Sequence, residues 1–121
     1  MKERSLMCEG TLFFLKRGVK RMEFLRARAA ETANVLKVLA NESRILILCK
    51  LVDGSCNVSE LNKSVPFLSQ SAVSQHLAKL RDAGIVSYEP KGASMVYFLS
   101  DMRVKDLLIH LRDLYCDNSC N

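Results

Sequence analysis

The feature of this sequence that most constrains its fold is a pair of short helical patterns separated by a tight turn. Asn57 and Glu60 have the three-residue spacing of a capping box, which opens the segment VSELNKSV. Pro66 interrupts this helix, Ser69 is suited to cap a second one, and Gly84 has the residue type that ends it. Two short helices joined in this way predict a helix-turn-helix.

Patterns on both sides of this motif predict the rest of the fold. Helical periodicity covers about residues 22–40, and Asn41 is a candidate N-cap for a helix that is apolar almost all round, and so buried on most sides. After the motif, IVSYEP and MVYFLS flank KGAS, which predicts a hairpin. Ser100 and Asp101 begin a last helix with an apolar stripe at Val104, Leu107, Leu108, Leu111 and Leu114. We therefore expect a mainly α winged helix-turn-helix with a small β-hairpin, flanked by N- and C-terminal helices.

The length and charge of the chain limit its domain organisation. With 121 residues it is long enough for one domain with a core and too short for a second. Residues 1–30 contain eight Lys and Arg against three acidic residues, whereas residues 31–121 contain ten of each. Net charge alone therefore does not predict that the body of the protein binds nucleic acid. We expect a basic extension over residues 1–21 and a single domain over residues 22–121.

Apolar runs and cysteines indicate the cellular compartment. No run approaches the roughly 20 apolar residues of a membrane helix, and no cleavage site follows TLFFL, so we expect neither a membrane partner nor secretion. An odd number of cysteines at irregular spacing is not typical of a secreted disulfide framework. We expect a cytoplasmic protein, in which cysteine chemistry is reversible or linked to a metal. The five cysteines are Cys8, Cys49, Cys56, Cys116 and Cys120.

The helix predicted over residues 70–82 has two different faces. Val73, Leu77 and Leu80 cluster on one side, while the other carries small polar residues instead of the Glu and Lys of an ordinary solvated face. Hydroxyl and amide groups can bond base edges in the major groove, and the hairpin adds a basic side chain that can contact phosphates. The candidate DNA-binding residues are Gln70, Ser71, Ser74, Gln75, His76, Lys79 and Lys91.

A solvated face on an ordinary helix is the alternative interpretation of this pattern. His76 lies at the border of the two faces, where a histidine is more often packed or in contact with phosphate than catalytic. No nucleophile is placed by the sequence to act with it. We therefore expect no enzyme activity, no catalytic residue and no cofactor.

The segments LKVLANESRILIL, VSELNKSV, LSQSAVSQHLAKLRDAGIV and YFL closely resemble the ArsR/SmtB family of winged-helix repressors, over about residues 24–116. The resemblance implies a homodimer paired through its first and last helices, here residues 22–40 and 101–116. It also implies binding to an inverted-repeat operator in double-stranded DNA until an inducer releases the protein.

Many members of this family sense metals, through ligand sets that are incomplete here. Asn57 and Ser59 occupy the positions of a CxC pair at the start of the third helix. A second family site uses paired Asp and His on the last helix, where this chain has Asp101 and Asp106 but only His110. We therefore expect no zinc or arsenic site of the family type.

The resemblance is closer to the sulfide- and redox-responsive branch, the BigR, SqrR and HlyU type. Its members carry one cysteine in ILC of the second helix and another after LY near the end of the last, which correspond to Cys49 and Cys116. This implies a repressor that leaves its operator when reactive sulfur species or an oxidant convert the two thiols to a disulfide or polysulfide. A metal-responsive repressor that also uses Cys56 or Cys120, and a winged-helix protein-interaction module, stay open as alternatives.

Overall fold

The computed structural model describes residues 19–116, with side chains from Arg21 onward. Within this part of the chain the elements are α1 (Val19–Leu39), α2 (Glu42–Asp53), β1 (Cys56–Asn57), α3 (Val58–Ser64), α4 (Gln70–Asp82), β2 (Val86–Lys91), β3 (Ser94–Leu99) and α5 (Met102–Tyr115). The expected winged helix-turn-helix with flanking helices is confirmed. None of these helices is long and apolar enough to cross a membrane.

The helices begin at the capping residues that the sequence predicted. Asn41 and Ser69 each accept a hydrogen bond from the backbone N–H three residues later, at the starts of α2 and α4. Asn57 and Glu60 form the complete capping box of α3, each side chain bonded to the other residue's backbone N–H. Asp101 caps α5. Each cap satisfies backbone donors that the first turn of a helix leaves without a partner.

The described chain forms two compact units, one ending at Lys37 within α1 and the other beginning at Val38. In the first, Arg28 pairs with Glu31 at 3.0 Å and lies over the ring of Phe24 at 5.1 Å. Four large apolar side chains of this unit are half or nearly half exposed: Met22, Phe24, Leu25 and Leu36. The predicted extension, residues 1–21, falls largely outside the described residues, and its boundary stays a prediction.

The second unit is built around one apolar core. Every helix after α1 contributes to it, and the predicted inner face of α4 is fully buried. Burial of each such aliphatic side chain contributes about 1.5–3 kcal/mol to stability. The core residues that are at most 4% exposed are Ile47, Leu48, Leu51, Leu61, Val65, Val73, Leu77, Leu80, Ile85, Val86, Val104 and Leu108.

One expectation about burial is wrong. Ile45 and Leu46 of α2 are 38% and 39% exposed, so this helix is not buried on most sides. Leu114 of α5 is 76% exposed because residues 113–116 extend beyond the core. Apolar periodicity identified the inward faces of both helices but not where the packing against them ends.

The sheet has one strand more than the predicted hairpin. The two residues of β1 pair antiparallel with β3, Cys56 opposite Tyr97 and Asn57 opposite Val96. A strand of two residues is too short to show alternating polarity, which is why the sequence did not reveal it. Because β1 leads directly into α3, it joins the helix-turn-helix to the hairpin.

The hairpin itself is formed by β2 and β3 in the predicted place. Lys91 lies opposite Ser94 at its end, and two residues make the turn. Gly92, the first of them, has φ of 65°, a conformation that glycine adopts without steric cost. The turn projects the end of the hairpin, with Lys91, into solvent.

Replacement of the α5 cap should destabilise the protein measurably. Asp101 accepts from the backbone N–H of Arg103 at 2.9 Å and pairs with its guanidinium at 3.0 Å. We expect Asp101→Ala to lower the free energy of unfolding by about 1 kcal/mol, the usual contribution of an N-cap. Asp101→Asn keeps an acceptor but loses the charge, so its loss should be smaller. Urea unfolding measures both.

The pH dependence separates the charge from the cap. The hydrogen bond from Arg103 holds the pKa of Asp101 below its ordinary value of 3.8. The contribution of the ion pair is therefore fully present above pH 3.8 and is lost as the pH falls through the lower folded-state pKa. The stability difference between wild type and Asp101→Asn should disappear in this acid range. A difference that persists there would contradict the role of the ion pair.

Candidate functional site

The polar face of α4 is available to a partner. Val73, Leu77 and Leu80 are fully buried, so the opposite side of the helix faces away from the core. The predicted contact residues on this side are all exposed: Gln70, Ser71, Ser74, Gln75 and Lys79. The structure therefore brings together five of the seven candidate DNA-binding residues on one helix surface.

Aromatic packing fixes the hairpin against the end of α4. The rings of Tyr88 and Tyr97, directly opposed across β2 and β3, have centroids 5.5 Å apart. The guanidinium of Arg81, in the last turn of α4, lies 5.4 Å from the centre of the Tyr88 ring. Such a cation over an aromatic face is attracted by the ring's quadrupole. The exposed Lys91 is thus carried on a hairpin whose base is held beside the helix.

A shallow groove joins the start of α4 to the hairpin. It has a volume of about 240 Å³ and opens to solvent. Polar side chains from α4, β3 and the start of α3 reach it, so the exposed polar surface continues from Gln70 to the hairpin. Its lining residues are Asn57, Val58, Ser59, Gln70, Ser94 and Met95.

His76 has a different environment from the other candidates on α4. It is half-buried at the border of the two faces, as expected, and its Nδ1 accepts a hydrogen bond from Nε of Arg44 at 3.2 Å. Burial and the positive charge of Arg44 both lower the pKa of His76. No sequence pattern predicts this contact, because Arg44 lies on α2, 32 residues away.

Three cysteines lie in the described residues, and each has a different environment. Cys49 on α2 is half-buried, and Cys116, immediately after α5, is exposed. Cys56 in β1 is buried, and its thiol donates to the carbonyl oxygen of Gly54 at 3.5 Å. The other two cysteines, Cys8 and Cys120, lie outside the described residues. Cys49 and Cys116 are therefore the described thiols that a solvent-borne reagent can reach most readily.

An ion pair joins the two helices that carry these thiols. Nη1 of Arg112 on α5 donates to Oδ1 of Asp53 on α2 at 3.1 Å. Asp53 comes four residues after Cys49, and Arg112 comes four residues before Cys116. Residues four apart are neighbours on a helix surface, so the ion pair lies within one turn of both cysteines.

The electrostatics of Cys49 indicate that Cys116 is close to it. Burial raises the pKa of the Cys49 thiol, and the guanidinium of Arg112 opposes this by stabilising the thiolate. Negative charge on Cys116 and on Asp53 raises the pKa further. For Cys56, burial and then Glu60 raise the pKa, Lys50 opposes them, and Asp53 adds a further increase. Arg112 and Cys116 thus act on the thiol of Cys49 and not on that of Cys56, although Asp53 acts on both.

Residues at the metal-ligand positions of the family make other contacts in this structure. Asn57 serves the capping box, Asp101 caps α5, and Nδ1 of His110 bonds the backbone oxygen of Asp106 at 2.8 Å. Within residues 19–116, no three His, Cys, Asp or Glu side chains are arranged to hold a metal ion.

Comparisons with known proteins agree with this geometry. The model of a family of bacterial regulatory proteins, the arsR family, matches residues 41–88. The transcriptional activator HlyU of Vibrio cholerae is 39% identical, over 85% of this chain and 94% of its own. The structure of reduced HlyU from that organism has a TM-score of 0.74, with 40% identity over 78% of this chain and 99% of that one.

Two further solved structures support the same assignment. The transcriptional repressor BigR of Xylella fastidiosa has a TM-score of 0.72 and 32% identity, and the match covers 80% of this chain and 98% of that one. A homodimeric winged helix-turn-helix DNA-binding domain from Mycobacterium bovis has a TM-score of 0.66 and 25% identity, over 74% of this chain and 82% of that one. The chain belongs to the ArsR family of bacterial regulatory proteins, and it is a DNA-binding transcriptional regulator, not an enzyme.

Proposed function

We propose that this regulator is a cytoplasmic repressor that binds an inverted-repeat operator as a homodimer and releases it when sulfur bridges Cys49 and Cys116. One observation carries the proposal: the ion pair between Asp53 and Arg112 joins α2 to α5 within one helical turn of both thiols. A covalent link between these cysteines would act on the same contact that already holds the two helices together.

The polar face of α4 is the proposed base-reading surface. Gln75 can bond adenine through both atoms of its amide, and Ser71 and Ser74 are short enough to let the helix approach the major groove. Lys79 and Lys91, on the helix and the hairpin, are placed to contact phosphates, which position the protein without reading sequence. Gln70 lies in the groove toward the hairpin and extends the surface.

Homodimerisation is supported by apolar side chains that the single chain leaves exposed. Leu25 and Leu36 of α1 are about half exposed, and Leu114 and Tyr115 at the end of α5 are 76% and 83% exposed. Burial of such side chains against a second copy is favourable. We propose an interface over residues 22–40 and 101–116, as in the resemblance to dimeric family members. Two copies of α4 related by a two-fold axis can then address two half-sites.

The proposed switch is an exchange of sulfur between a polysulfide and the two thiols. The Cys116 thiolate attacks an internal sulfur of the polysulfide chain, which breaks one S–S bond and releases hydrosulfide. The Cys49 thiolate then attacks the sulfur next to Cys116 and displaces the rest of the chain, which is a second hydrosulfide when the donor is a trisulfide. The dithiol loses two electrons, the polysulfide gains them, and the bridge retains at least one added sulfur. The exposed Cys116 reacts first because a donor in solution reaches it without movement of α2.

The bridge would change DNA affinity because its two ends belong to different parts of the regulator. Cys116 follows α5, a part of the proposed dimer interface, whereas Cys49 lies on α2, which contacts α4 through Arg44 and His76. A change at the α2–α5 contact can therefore alter how two α4 helices are presented to DNA. A coupling of about 1–3 kcal/mol is enough to change operator affinity 5- to 150-fold.

Base reading is tested by two substitutions that should behave differently. Gln75→Ala should lower affinity for the operator by about 1–3 kcal/mol and leave affinity for random DNA almost unchanged. Lys91→Ala should weaken binding to both DNAs and reduce the salt dependence, because it removes a phosphate contact. Gel-shift titrations with the gene's own promoter and with random DNA measure both. Equal losses for Gln75→Ala on the two DNAs would contradict base reading.

The switch is tested with single cysteine substitutions. Reduced Cys49→Ser and Cys116→Ser proteins should bind the operator but stay bound when polysulfide is added. Cys56→Ser is the matched control for a buried thiol outside the pair, and it should release DNA like wild type, as should Cys8→Ser and Cys120→Ser. Peptide mass spectrometry should locate the added sulfur between Cys49 and Cys116. A bridge to Cys56 or Cys120 would contradict the proposal, and release by zinc without a bridge would favour the metal-responsive alternative.

The charge next to Cys49 should set the pH dependence of bridging. Asp53 raises the pKa of Cys49, so Asp53→Asn should lower it and increase the thiolate fraction at a given pH. The rate of bridge formation against pH should therefore shift to lower pH in this variant. Asp82→Asn, which removes an exposed carboxylate on α4, is the control and should leave the profile unchanged. An unshifted profile for Asp53→Asn would show that attack by Cys49 does not limit the rate.

A further inference from the structure

Arg44 makes contacts that join three helices. Its Nη1 donates to the backbone oxygen of Val38, near the end of α1, at 3.0 Å, and its Nε donates to Nδ1 of His76 on α4 at 3.2 Å. Its own backbone N–H is held by the α2 cap, Asn41, at 3.1 Å. Arg44 is half-buried, and it reaches the border of the polar face of α4 through His76. A side chain in this position cannot be part of the polar face, but it can control a residue that borders it.

The contact with Arg44 determines which nitrogen of His76 carries the proton. A guanidinium has only donors, so Nδ1 must accept with its lone pair. In the neutral ring the proton is then on Nε2. Within residues 19–116 this Nε2–H has no hydrogen-bond partner, and the ring is only half-buried. The structure therefore leaves one oriented donor free at the edge of the α4 surface.

We propose that Arg44 is a positioning residue for DNA binding: it holds His76 as the Nε2–H tautomer, which donates to a phosphate oxygen beside the major groove. This inference rests on the proposed use of α4 to read DNA and adds a residue of α2 to it. Phosphates flank the groove that a recognition helix enters, and His76 lies at the margin of α4. Lys79, one turn further along the helix, is exposed and able to reach the same strand of the backbone.

The protonation state of His76 agrees with this role. Burial and the neighbouring Arg44 cation lower the pKa of the imidazole, which keeps the ring neutral near pH 7. A neutral donor makes a hydrogen bond to a phosphate without adding a charge. Its contribution to affinity should therefore be almost independent of salt, unlike that of a lysine.

The chain contains an internal control for the tautomer, since it has two histidines, His76 and His110. Nδ1 of His110 lies 2.8 Å from the backbone oxygen of Asp106. A carbonyl oxygen only accepts, so Nδ1 of His110 must be the protonated nitrogen. The two neutral rings should thus be opposite tautomers in the same protein.

Nitrogen-15 NMR of the histidine rings in the DNA-free, reduced protein tests whether Arg44 holds His76 as the Nε2–H tautomer. We expect His76 to be protonated at Nε2 and His110 at Nδ1, with His110→Gln used to assign the signals. In Arg44→Met, His76 should become a mixture of tautomers while His110 is unchanged. A His76 ring protonated at Nδ1 in wild type, or one unaffected by Arg44→Met, would overturn the proposal. This readout needs no DNA, so it is independent of the proposed function.

DNA-binding measurements test the proposed hydrogen bond from His76 to a phosphate. His76→Asn keeps an acceptor where Nδ1 was but has no donor at Nε2, and it should lose on the order of tenfold in affinity, the value of one hydrogen bond to a charged acceptor. The loss should be equal on operator and random DNA and should leave the salt dependence unchanged. His76→Gln places an amide donor near the Nε2 position without the Nδ1 acceptor, and it should lose less.

A double variant tests whether Arg44 affects DNA binding through His76. Arg44→Met should weaken DNA binding by itself, but in the His76→Asn background it should cause no further loss, because the proposal has Arg44 act on DNA through His76 and not through its hydrogen bond to Val38. Melting curves establish that each variant is folded at the temperature of the binding assay. Additive losses, a changed salt slope for His76→Asn, or a loss confined to the operator would overturn the proposal. Failure of wild type to form any specific complex would instead contradict the proposed function.

Discussion

The packing of α2 into the core is the constraint on which the rest of this structure depends. Ile47, Leu48 and Leu51 are at most 4% exposed, so the helix has one rotational setting in which all three are buried. That setting directs Arg44, near its start, toward α4, and Asp53, at its end, toward α5. One apolar face thus determines two polar contacts on different sides of the molecule.

This arrangement gives a physical route from the thiol pair to the DNA surface. Arg44 and Asp53 are separated by about two and a half turns of a continuous helix, and Cys49 lies between them. A close-packed core transmits strain, so a displacement at one end of such a short helix reaches its other end. Displacement of α2 caused by a bridge at Cys49 would therefore also change the contact between Arg44 and His76. Both proposed roles, sulfur sensing and phosphate contact, use this single element.

Local signals in the sequence predicted much of the fold. The caps at Asn41, Ser69 and Asp101 and the buried face of α4 depend on residues within one or two turns of each other, and all were identified. The two-residue strand β1 was missed because it is too short to show a pattern. The exposure of Leu114 could not be predicted, because periodicity reports which side of a helix is apolar and not how far its neighbours extend.

The contacts that define the candidate site were harder to predict because they join distant parts of the chain. The partners in the Asp53–Arg112 ion pair are 59 residues apart, and those in the Arg44–His76 contact are 32 apart. No periodicity relates such residues; only the packing of the helices brings them together. The sequence shows that Asp53 and Arg112 each lie four residues from a cysteine. This spacing places the two cysteines near one ion pair only when α2 packs against α5. The thiol pair itself was predicted from family resemblance, not from spacing.

The most direct measurement follows sulfur bridging and DNA release in the same samples. Reduced protein bound to a fluorescent operator would be titrated with polysulfide, and each aliquot would be divided between fluorescence anisotropy and intact-mass analysis. We expect the fraction of DNA released to rise in proportion to the fraction of chains that carry a Cys49–Cys116 bridge, and a reductant to reverse both together. Release that precedes bridging, or a fully bridged protein that stays on its operator, would contradict the central claim.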